Sequence, residues 1–297
     1  MLITIKSGEA GSSIGVSLAG AGVVKSSEAY FRLAVADSRA TKVAPGTHRV
    51  QKNLCAEQAL VQLLDSRRIT GLINISEGMW VSEVLPQMYR SGFTTADVQG
   101  ALSTIVKPAG FKQVEGLLFP AQYSFAPSTT AKAAFQAMVF RAESEMRKAG
   151  FYRDQENFDP SELLVIASLV QAEGKEKDFA KISQVVRNRL KVGMPLQFDS
   201  TVHYVMKSRG NIFLSTKSTM LSSSYNTYRR YGLPPGPINN PGATAMRAAV
   251  SPMAGDWLYF ITVLPGDTRF TADINQFNIW KIEYKKNLRD GKFRRKN

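Results

Sequence analysis

The segment Ser161 to Gly174 (SELLVIASLVQAEG) constrains this chain more than any other. It opens on a complete helix-start signal. Asp159 can cap the first turn, Pro160 suits its first position, and Glu162, three residues after Asp159, completes a capping-box pattern. Gly174 supplies the stop. Between them Leu163 to Val170 is dominated by apolar side chains, so the helix has little to offer water and reads as buried. It nevertheless ends on an acid, Glu173, and an acid at the end of a buried helix is costly unless it is used.

Glu173 falls in the last helical turn, where exposed carbonyls make a negative end, with Leu169 and Val170 one turn back. Both features disfavour the ionised form and predict a raised pKa. A carboxyl group that keeps its proton near neutral pH can act as a general acid, as in enzymes that cleave sugars. The plain alternative is an acid that points into water beside Gly174.

Composition narrows the classes. With 297 residues and 44% apolar content the chain can bury a substantial core and has room for two or three modules. Its longest apolar run is far short of the roughly 20 residues that cross a bilayer, and no signal-peptide pattern precedes it. The single Cys55 leaves no intramolecular disulfide, and two histidines, His48 and His203, make no zinc-like cluster, so neither a metal nor another cofactor is expected. A net charge of +14 points to a polyanionic neighbourhood, and residues 281–297 hold eight Lys/Arg against two acids. No RNA-binding motif or DNA-reading helix pattern accompanies that charge, and nucleic acid is not an expected partner.

Residues in the first hundred recur at an offset of 70: Ile3/Ile73, Ile5/Ile75, Gly8/Gly78, Ile14/Val84, Leu18/Met88 and Gly22/Gly92. Each copy reads as strand, glycine turn, short helix, glycine stop. Between the copies, helices are expected at Ser27–Ala36 and Ala56–Leu64 and a strand near Gly46–Val50, a βααβ outline. Residues 101–130 read as a connecting region, followed by a helix at Thr130–Lys148 and another at about Lys175–Leu190, with Phe179, Ile182, Val185, Val186 and Leu190 on one face. Beyond 191 the chain reads as loop-rich, with a strand at 258–264 and a last helix at Ile274–Arg289. The fold class is therefore α+β, divided as 1–70, a second small α+β repeat or connecting region at 71–128, and 129–297.

Two further segments concentrate polar chemistry. The stretch 188–204 (NRLKVGMPLQFDSTVHY), read as a loop, brings together Asn188, Arg189, Gln197, Asp199, Ser200, Thr201 and Tyr204. The stretch 224–242 (SYNTYRRYGLPPGPINNPG) holds Tyr225, Asn226, Thr227 and Asn240 on a Pro-Gly backbone. Tyrosine faces stack on pyranose rings and amides bond hydroxyl or acetamido groups, so both suit a hydroxyl-rich ligand. A polar loop satisfying its own backbone is the competing interpretation of each.

Together IASLVQAEG (166–174), VVRNRLKVGMPLQFDSTVHY (185–204), SYNTYRRYGLPPGPINNPG (224–242) and EGLLFPAQYSF (115–125) resemble the endolytic murein transglycosylase, or YceG-like, family of bacteria. The resemblance runs from about Ile3 to the C-terminus. It implies a LysM-like N-terminal subdomain before a YceG-like catalytic domain, and cleavage of peptidoglycan between N-acetylmuramic acid and N-acetylglucosamine with a 1,6-anhydro end. The family's catalytic glutamate falls on Glu173; relatives often carry a second glutamate where this chain has Gln171. Relatives also often show Asp-Thr in place of Ala121-Gln122 and Glu-His in place of Gln276-Phe277, which puts any role for those positions in doubt. Asn188, Arg189, Gln197, Asp199, Ser200, Thr201, Tyr204, Tyr225, Asn226, Thr227 and Asn240 are the candidate sugar contacts.

The implied partners are glycan strands, wall-synthesis enzymes and an anionic membrane surface or wall polymer. The implied location is the extracytoplasmic face of the bacterial cytoplasmic membrane, where relatives are usually held by an N-terminal transmembrane helix; none is expected within residues 1–297. Two other functions fit the same residues: a peptidoglycan-binding scaffold without catalysis, and a hydrolase that uses Asp199 as partner carboxylate.

Overall fold

The fold was obtained as a computed structural model, which describes residues 1–6, 8–153, 158–209 and 214–293. The last four residues of the basic tail, 294–297, lie outside that range. No helix among the described residues is long and apolar enough to cross a membrane. The chain divides into two compact units: Met1–Ile75, Ser82–Ile105 and Ala121–Ala137 in the first, and Ser76–Val81, Val106–Pro120 and Met138–Asn297 in the second.

The first unit contains two similar runs of elements. One begins with β1 (Leu2–Ile5), α1 (Gly11–Gly20), α2 (Ser27–Ala36) and β2 (Gly46–Arg49), continuing into α3 (Ala56–Leu64) and β3 (Ile69–Thr70). The other is β4 (Leu72–Asn74), α4 (Val81–Arg90), α5 (Thr95–Thr104) and β5 (Gln122–Ser124). β1 pairs antiparallel with β2 and β4 antiparallel with β5, placing Ile3 opposite His48 and Ile73 opposite Tyr123. Ile3, Ile5, Ile14 and Leu18 are buried, and so are Ile73, Ile75, Val84 and Met88 at an offset of 70. Gly8/Gly78 and Gly22/Gly92 all have positive φ, which side-chain-bearing residues rarely adopt. α5, which sequence reasoning did not separate from its surroundings, makes the second run βααβ as well.

The two runs are joined tightly. The Ser124 hydroxyl accepts a hydrogen bond from the Thr47 amide at 3.0 Å and donates to the Thr70 carbonyl at 3.2 Å, tying β5 to β2 and β3. Gly71, between β3 and β4, has φ +62°, and a Cβ there would lie 2.5 Å from the Phe125 carbonyl oxygen. The chain can turn from one sheet into the next at that distance only with glycine.

The second unit is built on α7 (Pro160–Glu173), which follows α6 (Ala131–Ala149). Leu163 through Val170 are all buried, and the helix start forms as its sequence predicts: Asp159 accepts from the Ser161 and Glu162 amides at 2.7 and 2.9 Å, and Glu162 accepts from the Asp159 amide at 2.9 Å. Around it stand α8 (Phe179–Lys191), α9 (Asp199–Met206), the short α10 (Thr216–Thr219) and α11 (Ala243–Val250). β6 (Tyr259–Leu264) and β7 (Asp267–Thr271) form an antiparallel hairpin, and α12 (Ile274–Arg289) packs on β6.

Four readings need correction. The stretch 188–204 is not one loop, because 188–191 end α8 and 199–204 lie in α9. Among the described residues the region beyond 191 holds a second strand, β7, and three helices before α12. The helix after Gly174 starts at Phe179 rather than Lys175, after a 3-10 turn at Glu176–Asp178. In its last turn Arg189, not Leu190, is the buried residue; Leu190 is half-buried.

Candidate active site

Glu173 ends α7 on a glycine that the packing demands. Gly174 is extended, and a Cβ there would meet Ile182 Cδ1, a buried side chain of α8, at 2.2 Å. The helix therefore stops against α8 with its last acid half-buried. From α9, the Ser200 hydroxyl donates to Glu173 Oε1. Asp199, one residue earlier, accepts a hydrogen bond from the Tyr228 hydroxyl. α9 thus delivers a hydroxyl onto Glu173 and a carboxylate into its neighbourhood.

Burial pushes the Glu173 carboxyl up to about 7; the Ser200 hydroxyl and amide oppose the rise, the charge of Asp199 adds to it, and Arg189 opposes it. The carbonyl end of α7 acts in the same direction as Asp199. Near neutral pH this group can therefore both give and take a proton. Burial also raises the Tyr228 hydroxyl, which the bond to Asp199 reinforces, so Tyr228 stays a neutral donor.

Arg189 is held from three sides. Its Nε donates to the Leu258 carbonyl at 2.7 Å and its Nη1 to the Leu196 carbonyl, while Phe198 and Tyr259 lie under the guanidinium at 5.8 and 5.7 Å. Burial lowers its pKa, but an arginine so placed remains a cation. Tyr259 in turn stacks on Phe277 at 5.3 Å, so Phe277 is a packing residue.

An aromatic group stands in the same unit. Tyr204, on α9, meets Trp80 edge-on at 5.9 Å and Tyr225 at 5.2 Å. Its hydroxyl donates to Glu115 at 3.2 Å, and Glu115 also accepts from the Val81 amide at 3.0 Å. Burial, and then the nearby Glu115 charge, raise the Tyr204 pKa. Arg209 lies over the Trp80 ring at 4.0 Å and donates to the Gly78 carbonyl at 2.6 Å. Tyr225 donates to the Gln113 carboxamide at 3.1 Å.

The sugar-contact candidates consequently separate. Ser200, Asp199 and Arg189 act on Glu173, and Tyr204 and Tyr225 line up with Trp80. Gln197 is exposed, with φ +50°, and its amide donates to the Thr227 carbonyl at 3.1 Å. The others are engaged with the protein itself. Asn188 donates to the Gly255 and Trp257 carbonyls and Asn226 to those of Thr219 and Leu221. Thr201 and Thr227 bond each other, and Thr227 also takes the Phe198 amide. Asn240 accepts from the Leu118 amide at 2.9 Å and donates to the Met79 carbonyl at 2.8 Å. Gln171 accepts from the Gly242 amide at 2.9 Å, fixing the chain just beyond Asn240. Leaving the buried ones, Thr201, Asn226, Thr227 and Asn240, unpaired costs about 1–3 kcal/mol each, so they hold the loops in shape.

Sequence reasoning did not single out Tyr228, Trp80, Glu115 or Arg209. Tyr228 and Glu115 do lie inside segments that stood out by composition. Trp80 and Arg209 carried no comparable signal.

The YceG-like family model matches residues 3–281. The chain belongs to the YceG-like family. It is 38% identical over 173 residues to the endolytic murein transglycosylase of Bacillus subtilis (strain 168), a match covering 58% of this chain and 48% of that protein. It is 36% identical over 162 residues to the endolytic murein transglycosylase of Streptococcus pneumoniae serotype 2 (strain D39), covering 52% and 29%. The matched region is thus half or less of these relatives' length. The crystal structure of a yceG-like protein from Listeria monocytogenes superposes with a TM-score of 0.63 over 94% of this chain and 98% of that one, at 24% identity, and supports the fold alone.

Proposed function

We propose that this chain is an endolytic lytic transglycosylase, a carbon–oxygen lyase that cuts peptidoglycan glycan strands between N-acetylmuramic acid and N-acetylglucosamine. The observation that carries this reading is the single half-buried glutamate at the end of α7, kept near neutral by burial and touched by one hydroxyl, in a chain similar to two proteins named endolytic murein transglycosylases.

In this mechanism protonated Glu173 gives its proton to the glycosidic oxygen as the bond from muramyl C1 breaks. The resulting carboxylate then takes the proton of the muramyl C6 hydroxyl, whose oxygen bonds to C1. The product is a 1,6-anhydro ring, no water is consumed, and Glu173 ends protonated as it began. The nucleophile belongs to the same sugar, which supplies the proximity advantage of an intramolecular reaction. Arg189 and Ser200 stabilise the carboxylate stage, and Tyr204, Tyr225 and Trp80 offer aromatic surface to sugar rings. The βααβ run at the N-terminus fits a LysM-like glycan-holding role for residues 1–70, with 71–128 as a second module and 129–297 as the catalytic part. Such an enzyme works at the extracytoplasmic face of the membrane, where its positive charge favours anionic lipid or wall polymer and wall-synthesis enzymes are natural partners.

A hydrolase is the second reading, favoured by the charge of Asp199 acting on Glu173. Two carboxyl groups at one glycosidic bond can instead direct water. Digestion of purified sacculi with the chain, followed by mass spectrometry of the released muropeptides, decides between them. Anhydro-muramyl ends are expected. Reducing ends would establish hydrolysis, and no release at all would sink both in favour of a binding protein.

A further inference from the structure

The seam between the two βααβ runs of the first unit forms a cleft of about 850 Å³ that the proposed chemistry does not use. Arg49, Arg68 and Arg90 line it against one acid, Asp97, and the half-buried rings of Phe93 and Phe125 give it an apolar part. Asp97 is occupied by the Thr94 hydroxyl at 2.6 Å. Arg68 reaches back to the Arg49 carbonyl at 3.3 Å. Arg67, also on the cleft, spends its guanidinium on Asp65 at 2.9 Å. The side chains of Arg49 and Arg90, both exposed, take part in no hydrogen bond or ion pair among the described residues that would neutralise them.

The walls are fixed by the Ser124 bonds to β2 and β3 and by the close passage of Gly71 past Phe125. The cleft is therefore a formed feature holding at least two uncompensated guanidinium groups, and its volume lies in the range of small-ligand sites. Guanidinium groups pair with carboxylates and phosphates alike through two parallel hydrogen bonds, so the rest of the cleft must distinguish them. Phosphate cradles, by contrast, usually rest on converging backbone amides. Here the nearby amides of Thr47 and Phe125 are already spent on Ser124 and Gly71.

We propose that this cleft binds the peptide stems of peptidoglycan through their carboxylates, with the alanine methyl groups against Phe93 and Phe125. The inference rests on the reading that peptidoglycan is the substrate. A stem of the form L-Ala-γ-D-Glu-L-Lys-D-Ala-D-Ala carries two free carboxylates, one on glutamate and one at its end, matching the two free arginines. Such a site would make the first unit a reader of strands that still bear their peptides.

The test is fluorescence anisotropy of that pentapeptide, labelled at its N-terminus, with the full chain. The expected result is saturable binding that is weakened at least tenfold by Arg49→Glu/Arg90→Glu and abolished when both peptide carboxylates are amidated. Arg49→Lys/Arg90→Lys should retain an intermediate affinity, because charge remains while the paired geometry is lost. Equal thermal midpoints for all variants exclude unfolding as the cause. Equal binding by the Glu variant, or equal binding of the amidated peptide, overturns the proposal. So does arginine-dependent binding to phosphatidylglycerol vesicles without peptide binding, which would assign the cleft to a phosphate headgroup. Sacculus digestion is scored separately: cleavage without peptide binding overturns this inference and leaves the transglycosylase reading intact, while peptide binding without cleavage supports the cleft and removes the enzyme.

Discussion

The two ends of α7 each carry a glutamate, and the protein uses them in opposite ways. Glu162 closes the capping box, its carboxylate bonded to the Asp159 amide at the positive end of the helix. Glu173 sits half-buried at the negative end, where no amide of its own helix is free to receive it, and its hydrogen-bond partner is Ser200 of α9. One carboxylate is stabilised by its helix and the other is opposed by it. The contrast shows how one stable helix can carry a carboxyl group that its own dipole opposes: eight consecutive buried residues hold α7 in place, so its last turn can keep an acid that the fold alone would reject.

The strongest way to break this comparison is Glu173→Gln. Loss of a general acid and base should cost on the order of 10²–10⁴ in turnover, read as muropeptide release. Stability should move the other way. Burial holds the Glu173 carboxyl at about 7 in the folded chain, above the 4.5 of an ordinary glutamate, so its contribution is fully retained below about pH 4.5 and is lost as pH rises through 7. The cost at pH 8 is on the order of 3 kcal/mol. Glu173→Gln should therefore raise the thermal midpoint at pH 8 and leave it nearly unchanged at pH 4. A variant that kept near-normal turnover, or lost stability at pH 8, would contradict the assignment.

The other end of α7 should behave as pure scaffold. Asp159→Ala removes the cap and should cost about 1 kcal/mol in denaturant unfolding. Turnover per folded molecule should not change. A drop in turnover with the cap alone removed would mean that the two ends are coupled and the contrast drawn above is false.

Much of this contrast was legible in the sequence, because it depends on signals within a single helix. Asp159, Pro160, Glu162 and Gly174 mark the ends of α7 by local chemistry, and α12 spans the expected Ile274–Arg289. The repeat at an offset of 70 was legible because pairs such as Leu18 and Met88 keep their burial. α9 was not, since DSTVHYVM is short and rich in β-branched residues, and its helix depends on burying Thr201 and Val202. The strand β7 was missed because DTRFT is polar; Arg269 is satisfied by Asp267 and Glu283, a partner 14 residues on. Composition marked Asn226, Thr227 and Asn240 as special without saying which way they turn. They turn inward, to backbone carbonyls and amides. The bond from Tyr204 to Glu115 spans 89 residues, and no local pattern announces it.

The subtlest test separates the two α9 residues that act on Glu173 in opposite senses. The charge of Asp199 raises the Glu173 pKa, whereas the Ser200 hydroxyl lowers it. If protonated Glu173 is the acid, activity falls as pH rises through its pKa, so the alkaline limb of the pH profile reports that value directly. Asp199→Asn removes the raising charge and should move the limb to lower pH. Ser200→Ala removes the lowering hydrogen bond and should move it to higher pH. Both shifts should be of roughly one unit or less, since each removes one contribution among several. Movement of both limbs in the same direction would mean that another group titrates there. An unmoved limb with a collapsed rate in Asp199→Asn would instead make Asp199 a second reacting carboxylate, giving α9 a direct part in the chemistry rather than a tuning role.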